Sequence, residues 1–213
     1  MELTGNIVSY DGEVITLRVP FRDTEQMIKK GIHTAHVILD DGRTISADQR
    51  KKIYATFRDI AEYTGHMPEE VKALMKYDFI AATGCKYFSL SDVDMSTARD
   101  FLEYVIEFCL MWGIPTKDSL LERAPDVTRY IYWCVFHRRC AICGKKADIH
   151  EVDAVGMGNN RNKIHHLGQR VQPLCRGHHT EAHRIGQLSF NKKYHIDSIF
   201  LDEHLCKKIG WRK

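Results

Sequence analysis

Cys140-Ala141-Ile142-Cys143-Gly144 is answered 32 residues later by Cys175-Arg176-Gly177-His178-His179-Thr180-Glu181-Ala182-His183, and these two stretches decide the reading of the C-terminal fold. Two ligand pairs, each separated by two residues, put four donors on two tight knuckles, the arrangement that tetrahedral zinc takes with Cys3His ligation. Gly144 permits the tight turn after the second cysteine. One such pair arises readily by chance, but two in register with further histidines do not. Cys140, Cys143, Cys175 and His178 are therefore expected to hold a structural zinc with no open position.

His179 and His183 are four residues apart, so a helix projects both imidazoles from one face. His178 lies one helical step away and stays free for the zinc set. Alone, such a pair is more often a surface accident than a ligand pair. His150 sits in Ala147-Asp148-Ile149-His150-Glu151-Val152, which reads as a strand able to bring a third nitrogen from across the fold. The expected order is strand 147–153, loop 154–168, strand 169–174 and helix 176–187. His150, His179 and His183 then form a cradle for a catalytic divalent metal.

These motifs give the segment from Cys140 to His183 a resemblance to HNH endonucleases of the ββα-metal type, including phage HNH nucleases. The resemblance rests on Cys140-x-x-Cys143, the His150-Glu151 dyad and Leu174-Cys175-Arg176-Gly177-His178-His179. It implies a metal-dependent phosphodiester hydrolase that uses Mg2+ or another divalent cation at the scissile phosphate. It also implies His150, His179 and His183 as metal ligands and residue 151 as the water-activating base. Such nucleases commonly leave 5′-phosphate and 3′-hydroxyl ends. The chain departs from the pattern twice. Glu151 stands where histidine is usual, and with a reference pKa near 4.3 a carboxylate is the weaker base unless burial raises it. In the other reading, Glu151 helps bind metal and His165 or His166 is the base. The second departure is Arg170, which occupies the position of the asparagine that orients the base; Asn159, Asn160 or His166 would stand in. DNA contact is expected from Arg161 and Lys163 in the glycine-bearing loop 155–163, together with Arg170 and Arg176. A solvated turn is the plain alternative for that loop.

Charge is divided unevenly along the chain. Residues 138–213 carry 15 Lys/Arg against 7 Asp/Glu, a balance of +8, while residues 1–137 carry 16 against 21, a balance of −5. This asymmetry points to nucleic-acid contact by the C-terminal part, against the alternative of a solvated basic tail. Lys192-Lys193, Lys207-Lys208 and Arg212-Lys213 fit the same footprint. No apolar run approaches the roughly 18 residues of a bilayer span, and the first residues lack a secretory signal. No membrane association is expected, and the expected location is the cytoplasm, that of the host cell for a phage-encoded chain. Thiols stay reduced there, so the seven cysteines read as ligands and core fillers, with Cys109 and Cys134 in the core.

The expected fold class is α+β, with a small N-terminal β-sheet and helices over 1–137 and a zinc-stabilised ββα module over 138–213. Asp11-Gly12 between β-branched runs predicts a hairpin at 6–19, followed by a short helix at 23–30 and a strand at 36–39. Ser46 and Gln49 match a capping box. Pro68-Glu69-Glu70 suits a second helix start, a third helix begins near Ser96 and stops at Trp112-Gly113, and shorter helices follow at 118–123 and from Asp126. Residues 46–115 also resemble, diffusely, the phage Orf (NinB-like) recombination mediators. The similarity lies in Ser46 to Ile53 and in Thr97…Phe101-Leu102-Glu103…Trp112-Gly113-Ile114-Pro115. It implies single-stranded or branched DNA as substrate, single-strand-binding protein as partner and assembly as a homodimer. Two rivals stay open: a non-catalytic recombination mediator with a degenerate site, and a zinc-stapled protein-interaction domain.

Overall fold

The computed structural model describes residues 5–20, 24–31, 37, 42–152 and 165–211. It divides into two compact units, Met1–Asp41 and Gly42–Lys213. In the first, strand β1 (Asn6–Tyr10) pairs antiparallel with β2 (Ile15–Arg18). The hairpin turn is held by the Asp11 carboxylate, which accepts from the backbone N–H groups of Glu13 at 3.0 Å and Val14 at 2.7 Å. Helix α1 (Thr24–Lys30) follows. The strand expected at 36–39 lies outside the described residues, apart from Val37, which is irregular.

The second unit mixes helices with a small sheet, an α+β architecture. Helix α2 (Ala47–Thr64) opens on the expected capping box: Ser46 Oγ accepts from Gln49 N–H at 3.1 Å, and Gln49 Oε1 accepts from Ser46 N–H at 2.9 Å. Helix α3 (Pro68–Thr83) starts with proline in its first turn, where a missing N–H costs nothing. Helix α4 (Met95–Trp112) is capped by Asp94, and Gly113 ends it in the left-handed region. Their apolar stripes meet in an aromatic cluster in which Phe101 touches Phe57, Phe79 and Phe88, with ring centroids 5.2–6.1 Å apart. All four rings are buried, and each contributes roughly 1.5–3 kcal/mol by leaving water.

Helix α5 (Leu120–Arg123) leads to α6 (Val127–Phe136), which Asp126 caps. Strands β3 (Asp148–Glu151), β4 (Arg170–Leu174) and β5 (Ile199–Phe200) form an antiparallel sheet in the order β3-β4-β5. Helix α7 (Arg176–Ile185) follows β4, then α8 (Gln187–Tyr194) and α9 (Glu203–Ile209). A single helix over 176–187 was expected. The break falls at Gly186, whose φ of 81° and ψ of 149° only glycine adopts without strain. Lys192 and Lys193 close α8, and Lys207 and Lys208 close α9, where they complement the negative helix ends. No helix among the described residues is long and apolar enough to cross a membrane.

The boundary expected at 137/138 falls inside the second unit. Helix α6 packs on α4, on β4 and on α9. Arg139 Nε donates to the carbonyl of Leu110 at the end of α4 (2.9 Å), and Arg138 donates to that of Ile209 at the end of α9 (2.8 Å). A Cβ on Gly113 would strike the Arg139 guanidinium. Deeper in the helical layer, Arg123 stands 2.7 Å from the Asp59 carboxylate with both side chains almost fully buried, and it also donates to Thr56 Oγ1 at 3.1 Å. Removing one partner strands a charge in low dielectric, so Arg123→Ala is expected to cost about 3–5 kcal/mol, read as a lower urea midpoint with unchanged slope.

Candidate functional site

Cys140 and Cys143 sit on a turn that begins directly after α6. Cys140 N–H donates to Lys145 O at 2.7 Å, Gly144 N–H donates to Cys140 O at 2.9 Å, and Gly144 takes φ 67°. The turn is anchored from three sides. Ala141 N–H donates to Pro173 O of β4 at 3.0 Å, the buried Tyr130 hydroxyl donates to Ala141 O at 3.0 Å, and Ser119 Oγ donates to Ile142 O at 3.1 Å. These bonds set the cysteine pair against the start of α7, where Cys175 is the N-cap and His178 lies in the first turn.

The donor atoms of Cys140, Cys143, Cys175 and His178 all lie within 4.8 Å of one another. Cys143 Sγ is 3.7 Å from Cys175 Sγ, and His178 Nδ1 is 3.4 Å from Cys140 Sγ and 3.3 Å from Cys175 Sγ. Around a tetrahedral ion with Zn–S near 2.3 Å and Zn–N near 2.0 Å, the corresponding edges are about 3.8 Å and about 3.5 Å. The residues present therefore fit a zinc-sized ion. Burial raises the Cys140 thiol to about 12. Burial also pushes Cys175 upward, but the N–H groups of His178 and Gly177 and the neighbouring thiols outweigh it and hold the group below the usual thiol range.

The second cluster joins strand to helix. His150, buried on β3, meets His179 and the exposed His183 of α7, their donor atoms again within 4.8 Å of one another. Ring centroids are 4.6 Å apart for His150–His179, 5.0 Å for His150–His183 and 4.8 Å for His179–His183. The Nε2 atoms of His179 and His183 face each other at 3.1 Å, within the about 3.0–3.4 Å that two nitrogens subtend on one octahedral or tetrahedral cation. Burial lowers the pKa of His150, and the neighbouring histidines add to this against a hydrogen bond to Gln187 Oε1 that raises it. Burial, then the charges of His183 and Arg176, lowers that of His179. Both shifts favour the neutral imidazole, the form that ligates metals. Because His150 is buried and His183 exposed, the cluster opens toward solvent on the helix side.

Strand alternation sends Glu151 to the face opposite His150. There Glu151 Oε1 is 3.8 Å from His166 Nε2, beyond hydrogen-bond distance, and the His166 ring lies against Trp211 at 4.6 Å between centroids. His166 Nδ1 is buried without a hydrogen-bond partner among the described residues. His165 is exposed, and its carbonyl accepts from Gln169 at 3.2 Å. Arg170 begins β4 opposite Phe200, with an exposed side chain. Arg176 is the exposed first residue of α7. Asn159, Asn160, Arg161 and Lys163 lie outside the described residues.

Three site residues were not anticipated from the sequence: Gln187, whose Oε1 lies 3.0 Å from His150 Nε2, and behind it Gln172 and Asn191. A glutamine inside the apolar strand Val171–Leu174 was the available signal, since an amide buried on both faces must have partners.

A strand pair feeding a helix, with histidines converging from both, defines a candidate metal-dependent centre. A model of the family described as "Putative HNHc nuclease" matches residues 20–210. The chain belongs to this family, and membership suggests nuclease activity, a phosphodiester hydrolysis. No significant match was found among curated proteins or among solved structures. If the Cys3His set holds zinc, the purified protein carries one equivalent by elemental analysis. Cys140→Ser is then expected to lose it and to melt lower by on the order of 10 °C.

Proposed function

We propose that the protein is a metal-dependent DNA endonuclease, with Cys140, Cys143, Cys175 and His178 holding a structural zinc that staples a C-terminal ββα module. The observation that carries this reading is the convergence of three imidazoles from β3 and α7 on one point open to solvent. His150, His179 and His183 would hold Mg2+ or another divalent cation. Bound there, such a cation neutralises charge on the scissile phosphate and on the leaving 3′ oxygen.

The chain's own residues supply the remaining parts. Water activation is the role proposed for Glu151 or His166, whose Oε1 and Nε2 stand 3.8 Å apart. Because Glu151 lies on the face of β3 away from His150, that role requires the attacking water to approach past the end of the strand. Arg170 and Arg176, both exposed, are proposed to bind phosphate oxygens together with Arg161 and Lys163. Single-stranded or branched DNA is the proposed substrate, and phage-type recombination the proposed setting. Residues 1–137 would act there as the Orf-like part that contacts single-strand-binding protein or a second copy of the chain. The cytoplasm of the host cell is the proposed location. The glutamate at position 151, where the resemblance calls for histidine, keeps a second reading in view, that of a DNA-binding mediator that does not cut.

Supercoiled plasmid incubated with the metal-stripped protein and added Mg2+, Mn2+ or Ni2+ is expected to be nicked. His179→Ala should abolish nicking while leaving the circular-dichroism spectrum and the zinc content unchanged. Nicking that survives in His179→Ala would remove the cradle assignment. Glu151→Gln and His166→Ala are each expected to slow nicking by about 10²-fold or more without loss of DNA binding. Salt-dependent DNA binding with no cleavage of duplex, single-stranded or branched DNA under any cation would select the mediator reading.

A further inference from the structure

We infer that Gln187 is a positioning residue that holds His150 in a single tautomer, with the proton on Nε2 and the Nδ1 lone pair left for the histidine cluster. The inference rests on the reading of His150, His179 and His183 as a metal cradle, and it names the group that sets the donor atom of the buried member.

The argument is one of direction along a hydrogen-bond chain. At its outer end stands the Asp197 carboxylate, which only accepts; Ser198 N–H donates to it at 2.7 Å and Asn191 Nδ2 at 3.4 Å. Asn191 therefore turns its carbonyl oxygen inward, where Gln172 Nε2 donates at 2.9 Å and Gln187 Nε2 at 2.7 Å. With its amino group directed to Asn191, Gln172 presents Oε1, which accepts from Gln187 Nε2 at 2.7 Å. Both N–H bonds of Gln187 are thereby engaged. What remains is Oε1, and it faces His150 Nε2 at 3.0 Å. Two lone pairs at that distance repel, so His150 Nε2 carries the hydrogen and Nδ1 does not.

Reversing Gln187 would set its oxygen against two carbonyl oxygens at 2.7 Å and forfeit both bonds. Gln172 has no escape to water, being fully buried. It stands directly opposite His150 in the β3–β4 pairing, so the chain is anchored in the sheet that carries the ligand. Ligating histidines are commonly oriented in this way through their second nitrogen, and loss of the orienting partner typically weakens metal binding about 10–100-fold.

The test uses the full chain, 15N-labelled and dialysed free of exchangeable cations, with two-bond 1H–15N imidazole spectra to read the His150 tautomer. Ni2+ calorimetry accompanies it, with His179→Ala as the blank for the cluster. Wild type should show one Nε2–H tautomer. Gln187→Met, nearly isosteric but without an acceptor, should show mixed tautomers and bind Ni2+ about 10–100-fold more weakly. The tautomer is a spectroscopic readout that a merely structural role for Gln187 would not move. A single Nε2–H tautomer and undiminished Ni2+ affinity in Gln187→Met would overturn the inference alone. Wild type that binds no Ni2+ beyond the blank would overturn the cradle and the inference with it.

Discussion

His150 stands opposite Gln172 in the antiparallel pair of β3 and β4, and this register is the constraint on which the rest of the site depends. Side chains alternate along a strand, so a slip of one residue would turn His150 away from α7 and bring Glu151 in its place. Strand β4 carries two further bonds. Val152 N–H donates to Arg170 O at 2.9 Å, and Ala141 N–H donates to Pro173 O at 3.0 Å. The second bond also carries the cysteine turn, so one ladder locates both donor sets. Burial then acts on a fixed geometry: it lowers the pKa of His150 and His179 and so favours their neutral forms.

The helical layer is the floor on which that ladder rests. Helix α6 hands the chain to Cys140 with Tyr130 already bonded to the turn. Arg138 and Arg139, adjacent to the first cysteine, donate to the carboxyl ends of α9 and α4. Those carbonyls have no partner within their own helices, and two cations meet them as hydrogen-bond donors and as complements to the helix dipoles. The site thus leans on elements far away in sequence. The family match over residues 20–210 likewise takes in far more of the chain than the segment from Cys140 to His183.

Much of this was legible in advance because its determinants are local. The capping box at Ser46, proline at the start of α3, and the Asp-Gly hairpin each follow from chemistry within a few residues. The ligand spacings belong to the same class, since two residues between cysteines or three between histidines fix proximity through backbone geometry alone. The misread elements have other causes. Helical periodicity runs across Gly186 without a visible break, and the stop between α7 and α8 lies in one residue's backbone angles. Strand β5 has two residues, too few to show alternation. The join expected at 137/138 follows the end of a helix and the start of the ligand-bearing segment, and the core around it runs on from α4 through α6 to β4 and α9.

The sequence by itself determined which residues can ligate, that His179 and His183 share a helix face, and that Cys140 with Cys143 and Cys175 with His178 form two close pairs. These are statements about donors a turn or less apart, and no tertiary contact is needed to make them. Only the tertiary structure decided that His150 reaches those histidines while Glu151 turns toward His166 and Trp211. It alone brought Gln187, Gln172 and Asn191 behind the buried ring. Pairing across a sheet joins residues whose separation along the chain says nothing of their distance. The direction of a buried amide is set by every partner it has, and those partners are gathered only when the core closes.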